Sequence, residues 1–153
     1  MLPLAYAAQS PSAHPDFSGR WHIDEAASDL DSAGGWFGSD VQVTHDAKSI
    51  TFAAPGTGPG TGSSTYTLDG KGTPRTAGQG TRLDTAAWVG DRIILTTVNT
   101  GPRTDPATQK EIETTSTRTI AVSLDKSGAM IVDVTTKPES TGHFARHSVY
   151  RKQ

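Results

Sequence analysis

The sequence predicts an all-β fold: an antiparallel up-and-down β-barrel of about eight to ten strands with one short N-terminal helix. Short runs of alternating apolar and polar residues recur along the chain between turns rich in glycine, proline and aspartate. No helical apolar period lasts long enough for a major helix. Because the connections are short, neighbouring strands should pair, and closure into a barrel would remove the sheet edges. An open sandwich is the alternative.

The composition fits one small domain of this class. The chain has 153 residues, 33% of them hydrophobic, and 16 are glycine, which suits a single domain with many turns. The formal net charge of −2, with acidic and basic residues interspersed, argues against binding to nucleic acid or anionic membranes. No apolar run is long enough to span a bilayer, so we predict no membrane insertion. The absence of cysteine excludes thiolate metal sites, thiol catalysis and disulfides.

The first residues are expected to lie outside the domain. Ala5-Tyr6-Ala7 fits the small-x-small pattern of a signal-peptide cleavage site, and residues 9–16 are polar and rich in proline. The positive residues that open a signal peptide are missing. Residues 1–16 are therefore either a signal-peptide remnant or a disordered linker. We predict export from a bacterial cell, to the periplasm or the medium, and a single domain over residues 17–153.

The first predicted strand, residues 17–23, contains the tryptophan that should anchor the core. Trp21 shares one face of this strand with Ile23. Gly19 lies two residues before the tryptophan, where the missing side chain lets the backbone pass closely under a large ring. An aromatic side chain of this size is a strong source of buried apolar area.

A short helix, a plug and a succession of strands follow. Residues 24–30 have helical character, with an aspartate at the start as a cap. Beyond them, Trp36 and Phe37 should pack against an open end of the fold. Further strands are predicted at residues 41–45, 49–53, 64–68, 81–89, 92–98, 111–124, 129–136 and 142–152.

Arg118 is the leading candidate for ligand recognition. In the strand at 111–124, one set of alternating residues carries the aliphatic side chains and should point inward, and it includes Ser116 and Arg118. A buried guanidinium group is costly unless it is paired. Arg118 therefore either binds an anionic group of a ligand, or pairs inside the barrel with Asp84 or Asp133, or extends to a mouth of the barrel.

The last strand offers a second wall for the same site. A regular strand can turn only one of its two faces inward. We favour the face that contains Tyr150, and we predict ligand contacts for Arg146, Ser148 and Tyr150 beside Arg118 and Ser116. The opposite face contains His143, Ala145, His147, Val149 and Arg151.

The start of the first strand, Phe17-x-Gly19-x-Trp21, resembles the N-terminal signature of the calycin superfamily, which contains the lipocalins and the fatty-acid-binding proteins. It is also similar to small exported bacterial lipocalin-like proteins that open with Phe-Ser-Gly-x-Trp. The resemblance implies a barrel in which a basic residue near the C-terminus packs across the signature tryptophan. Here that residue is Arg151, and its contact with Trp21 would be a cation–π interaction.

In fatty-acid-binding proteins, an Arg-x-Tyr pair on the last strand holds the carboxylate of the ligand. Tyr150 matches the tyrosine, whereas Ser148 occupies the arginine position. We predict an exported lipocalin-like protein that binds a small, partly apolar molecule, and the more specific prediction is a molecule that bears a carboxylate. Two alternatives stay open. One is a small β-barrel enzyme, an isomerase, cyclase or hydrolase that uses His147 with Asp84 or Asp133. The other is a structural or interaction module with a barrel filled by side chains.

No metal, cofactor or catalytic residue is predicted. His143 and His147 lie four residues apart on a strand, about 13 Å, which is too far to bind one ion together. Haem needs a single histidine, such as His45 or His147, but a lone histidine is a weak indication of it. The nucleophile elbow and the paired-histidine zinc motif are both missing from the sequence. The expected partner is a small hydrophobic or amphipathic ligand, and enzymatic activity is the less favoured function.

Overall fold

A computed structural model describes residues 14–30, 34–56, 62–139 and 142–153, which form antiparallel strands almost throughout. The strands are β1 (Gly19–Ile23), β2 (Asp40–His45), β3 (Ser49–Ala54), β4 (Gly62–Thr67), β5 (Arg75–Ala77), β6 (Gly80–Val89), β7 (Arg92–Thr104), β8 (Glu111–Leu124), β9 (Met130–Lys137) and β10 (His147–Lys152). They form one sheet in the order β4-β3-β2-β1-β10-β9-β8-β7-β6-β5. The predicted all-β class and antiparallel pairing of neighbouring strands are confirmed. The pairing of β1 with β10 joins the two ends of the chain.

The two ends of the sheet approach each other without forming a hydrogen-bonded seam. The chain just after β4 reaches β6, where the Gly70 amide donates to the Ala86 carbonyl oxygen at 2.8 Å. Within the described ranges, no ladder of backbone hydrogen bonds joins β4 to β6. The sheet is therefore open at this point, and the predicted closed barrel is not confirmed.

One face of the sheet buries a single core. Trp21 is 2% exposed, and its indole N–H donates to the Phe17 carbonyl oxygen at 2.9 Å, so the predicted anchor of the core is confirmed. In β8, Ile120 and Val122 are buried, whereas Ile112 is 44% exposed. The predicted inward face of β8 therefore applies only to its second half. The first half is one arm of a long hairpin with β7 that extends beyond the core.

The predicted helix is reduced to one 3-10 turn at Glu25–Ala27. Asp24 caps it as expected, because its carboxylate accepts a hydrogen bond from the Ala27 amide at 3.2 Å. The turn ends at Ser28, which has extended backbone angles and whose hydroxyl donates to the Asp24 carbonyl oxygen at 2.6 Å. The expectation of a helix over residues 24–30 is therefore wrong, since the side-chain bond at Ser28 competes with a further helical turn.

The N-terminal segment is described from His14 onward, so most of the predicted signal remnant or linker lies outside the described residues. The imidazole ring of His14 stacks on the Trp88 indole, with centroids 4.0 Å apart and an angle of 6° between the planes. Phe17 also stacks on Trp88, at 6.0 Å. The segment before β1 therefore packs against the end of β6.

The basic residue over the signature tryptophan is Lys152. Lys152 lies directly opposite Trp21 in the β1–β10 register, and its Nζ is 5.5 Å from the indole centroid. Gly19 makes this contact possible. Its φ is +135°, and a Cβ atom there would lie only 2.7 Å from the Lys152 Cε. A side chain at position 19 would therefore displace the lysine.

The predicted contact of Arg151 with Trp21 is wrong. Arg151 lies on the opposite face of β10, where its Nε donates to the Asp24 carboxylate at 3.0 Å and its Nη1 to the Ser127 hydroxyl at 2.9 Å. Tyr150 is fully buried on the inner face, and alternation then turns the next residue outward. The contact therefore falls to Lys152, two residues beyond Tyr150 on the same face.

Candidate ligand-binding cavity

A cavity of about 390 Å³ lies on the concave side of the sheet, between β3 and β4 on one side and β6, β7 and β8 on the other. Its volume falls within the range of small-molecule sites. The chain has three tryptophans, three tyrosines and four phenylalanines, ten aromatic residues in all, and four of them line this cavity. The aromatic and cationic lining residues are Trp36, Phe37, Phe52, Tyr66, Arg82 and Arg118.

Arg118 contributes to this cavity a cation that forms no ion pair with the described residues. Its Nε is buried and has no hydrogen-bond partner among the described residues. The guanidinium carbon lies 5.1 Å from the centroid of the Trp36 ring. Neither acid considered from the sequence pairs with it, because Asp84 and Asp133 are bonded to other side chains. The guanidinium group is thus held against an aromatic face, with an N–H group that lacks an acceptor.

Asp84 is saturated by other partners. One carboxylate oxygen accepts from the Arg75 guanidinium at 2.9 Å and from the Arg82 Nε at 3.0 Å. The other oxygen accepts from the Thr97 hydroxyl at 2.6 Å. Thr97 lies directly opposite Arg118 in the β7–β8 register, so the network ends next to the unpaired guanidinium without reaching it.

A cleft of about 520 Å³ between β4 and β6 adjoins the cavity, and both are lined by Ser63, Ser64, Tyr66 and Arg82. Together they present four basic side chains and two acidic ones. These are Lys71, Arg75, Arg82 and Arg118, against Asp69 and Asp84. Burial, with a smaller effect of the Asp84 charge, raises the pKa of Tyr66, so its hydroxyl stays protonated. The site is therefore positively charged and continuous with the gap in the sheet.

The loop before β2 covers one end of the cavity and is fixed by the last strand. The Trp36 amide donates to the Ser148 hydroxyl at 3.0 Å. The Phe37 amide donates to the Tyr150 hydroxyl at 3.0 Å, and that hydroxyl donates to the Gly38 carbonyl oxygen at 2.9 Å. Burial raises the pKa of Tyr150 to about 12. Trp36 and Phe37 therefore form the covering element that the sequence predicts, and β10 holds it through side-chain hydroxyls.

The predicted ligand-binding residues do not gather in one place. Arg118 lies in the cavity, whereas Ser148 and Tyr150 are buried beneath the covering loop and bonded to it. Arg146 is exposed, with its guanidinium carbon 4.6 Å from the centroid of the Phe144 ring. Ser116 is exposed on the extended part of β8. Only Arg118 of this predicted set lines the cavity.

The sequence analysis did not predict the other residues that line the cavity, although alternation along their strands indicates which side chains point inward. Phe52 shares the inner face of β3 with Ile50, and Tyr66 lies opposite Ile50 in the β3–β4 register. Arg82 lies on the face of β6 that also carries the buried Ala86. The inward faces of these strands, taken together, place two aromatic rings and a second arginine near Arg118.

The histidine–carboxylate pair that an enzyme would need lies outside the cavity. His147 Nδ1 is 2.6 Å from the Asp133 carboxylate, and these side chains are 42% and 53% exposed. Asp84 lies on the inner face of β6, where it is bonded to Arg75, Arg82 and Thr97. The expectation that Asp84, Asp133 and His147 could meet inside the barrel is therefore wrong, because β9 and β10 turn their pair outward.

Comparisons with protein-family models, with curated proteins and with solved structures find no match for this chain. The described residues contain no group of three or more histidine, aspartate or glutamate side chains placed to hold a metal ion. Within the same residues, no helix has the length and apolar character needed to cross a membrane. The class of the molecule is therefore defined by its own features: one all-β meander with an aromatic, cationic cavity on its concave side.

Proposed function

We propose that this chain is an exported, non-enzymatic, lipocalin-like protein that binds a small, partly apolar anion in the aromatic cavity. In this proposal the curved sheet functions as a barrel of the calycin type, with the cleft between β4 and β6 as its open seam. The ligand places its carboxylate or a similar anionic group at Arg118 and its apolar part along the aromatic wall.

The buried, unpartnered Nε of Arg118 is the observation that carries the proposal. A buried N–H group without an acceptor costs about 1–3 kcal/mol, so an acceptor supplied by a ligand recovers that free energy. A carboxylate matches the geometry of a guanidinium group, with which it forms paired hydrogen bonds. Asp84 is bonded to Arg75, Arg82 and Thr97, which leaves the position beside Arg118 open to an external anion.

Titration calorimetry with a panel of fatty and aromatic carboxylates tests this function. The wild-type chain should bind at least one acid of the panel, and Arg118→Met should weaken that binding by about 1.5–3 kcal/mol, roughly 10- to 150-fold. Arg118→Lys should retain part of the affinity, because it keeps the charge but lacks the planar fork. Failure of the whole panel to bind, or equal affinities for wild type and Arg118→Met, would contradict the proposal.

Arg103→Met is the matched control for the charge change. Arg103 is an exposed residue on the extended part of β7, and it lines neither the cavity nor the cleft. The substitution removes the same charge from the chain, and it should leave the affinity unchanged. A loss of affinity in both variants would mean that net charge, rather than a bound carboxylate at Arg118, governs the interaction.

The export component rests on the Ala5-Tyr6-Ala7 pattern. Cell fractionation followed by mass measurement of the intact protein tests it. A product in the periplasm or medium whose mass corresponds to cleavage after Ala7 would support export. A full-length product retained in the cytoplasm would contradict it.

A further inference from the structure

The aromatic residues of the cavity form a continuous wall. The Phe37 and Phe52 rings stack in parallel, with centroids 4.2 Å apart and an angle of 6° between the planes. Tyr66 meets Phe52 edge-on at 6.4 Å and also lines the cleft. Trp36 presents its face to the guanidinium group of Arg118. Aromatic surface therefore extends from the unpaired cation to the gap in the sheet.

Aliphatic surface is scarce in the same cavity. Its aliphatic lining consists of Ile120 and Ala54, and apart from Gly62 the rest is aromatic, hydroxylic or cationic. A long acyl chain loses rotational freedom when it is ordered in a site, whereas a fused ring system has little freedom to lose. Flat rings also gain stacking and edge contacts with aromatic side chains, beyond the effect of buried area alone.

From these two observations we infer that the ligand is a flat aromatic monocarboxylic acid rather than a fatty acid. This inference rests on the proposed function and specifies the ligand class of that site. The carboxylate pairs with the guanidinium group of Arg118, and the ring system lies against Tyr66 and Phe52. Tyr66, at the junction of the cavity and the cleft, is then the residue that selects for aromatic ligands.

Two probes with the same charge and the same number of carbon atoms separate the two ligand classes: naphthoate and undecanoate. By calorimetry, the wild-type chain should bind naphthoate at least about tenfold more tightly than undecanoate. Naphthoate gains contacts with the aromatic side chains, and it avoids the conformational entropy that the chain of undecanoate loses on binding. Tyr66→Leu keeps an apolar side chain but removes the ring, so it should weaken naphthoate binding about fivefold and leave undecanoate nearly unaffected. Tyr66→Phe keeps the ring and should retain the preference for naphthoate.

Thermal melts of the two Tyr66 variants establish that each is folded before binding is measured. Undecanoate binding as tightly as naphthoate, or an equal loss of both in Tyr66→Leu, would overturn the aromatic preference while the proposed carboxylate site stands. Binding of neither probe by the wild-type chain would overturn the aromatic preference, whereas only failure of the whole carboxylate panel would overturn the proposed function. A preference for naphthoate that survives in Tyr66→Phe and shrinks in Tyr66→Leu supports the inference.

Discussion

Two arginines of the same cavity should respond in opposite ways to the same substitution. The buried Arg118 Nε–H group has no acceptor among the described residues, and leaving it unpaired costs the native state about 1–3 kcal/mol. Arg118→Met removes this cost. It also removes the contact with Trp36, which contributes about 0.5–1 kcal/mol. Methionine fills a similar volume with a flexible apolar chain. The free energy of unfolding of the ligand-free protein should therefore rise by about 1 kcal/mol.

Arg82→Met should lower the free energy of unfolding. The Arg82 Nε donates to both oxygens of Asp84, at 3.1 and 3.0 Å, and these side chains are 37% and 23% exposed. Asp84 keeps its bonds to Arg75 and Thr97 in the variant, so its charge is not left without partners. Because the pair is partly exposed, the expected loss is modest, about 1 kcal/mol.

Urea melts of the wild type and both variants, analysed with a common m-value, measure these differences. The expected order of stability is Arg118→Met above the wild type, and Arg82→Met below it. A loss of more than about 1 kcal/mol in Arg118→Met would refute the reasoning, because it would show that Arg118 is part of a structural network. Equal changes in the free energy of unfolding in both variants would contradict the conclusion that Arg82 is paired and the Arg118 Nε–H group is not.

Three further outcomes follow from the contacts of β1, β10 and the covering loop. A double-mutant cycle of Trp21→Phe with Lys152→Ala should show coupling of about 0.5–1 kcal/mol, whereas the cycle with Arg151→Ala should be additive; coupling to Arg151 alone would contradict the assigned cation. Burial raises the pKa of Tyr150 from 10.0 to about 12, so the buried neutral hydroxyl should contribute its full share to the free energy of unfolding below pH 10 and lose it between pH 10 and 12. Melts at alkaline pH should show this loss in the wild type, and Tyr150→Phe should abolish it. Gly35→Ala should lower the melting temperature, since its Cβ would collide with the Tyr150 hydroxyl; an unchanged melting temperature would mean that the loop is not fixed there.

Alternation along the chain predicted most of the sheet. The predicted strand at 111–124 matches β8, and the buried side of β10 is the one that contains Tyr150. Alternation does not indicate where along a strand the core ends, however. It therefore predicts an inward side chain for Ser116, although β8 extends past the core at that residue and Ser116 is exposed. How far a strand continues beyond the core depends on tertiary packing rather than on the strand's own sequence.

The candidate site was only partly predictable, because it depends on pairing between strands. Arg118 was identified from its own strand, since a cation among aliphatic residues is recognisable by alternation. The partners of Asp84 come from β5, β6 and β7, and no sequence pattern sets the register that brings Arg75 and Thr97 to the same carboxylate. The cation over Trp21 was misassigned for a similar reason, because a shift of one residue exchanges Arg151 for Lys152.

The Arg118 Nε–H group itself provides the most direct test of carboxylate binding in the cavity. Its resonance can be followed in nitrogen–proton correlation spectra of the labelled protein, assigned by its absence from Arg118→Lys. On titration with naphthoate, we expect a downfield shift of the Arg118 Nε–H proton as the guanidinium group gains an acceptor, with the Arg82 Nε–H resonance nearly unchanged because that group is already bonded to Asp84. A saturable interaction that leaves the Arg118 resonance in place would contradict the account, because the anion would then bind elsewhere.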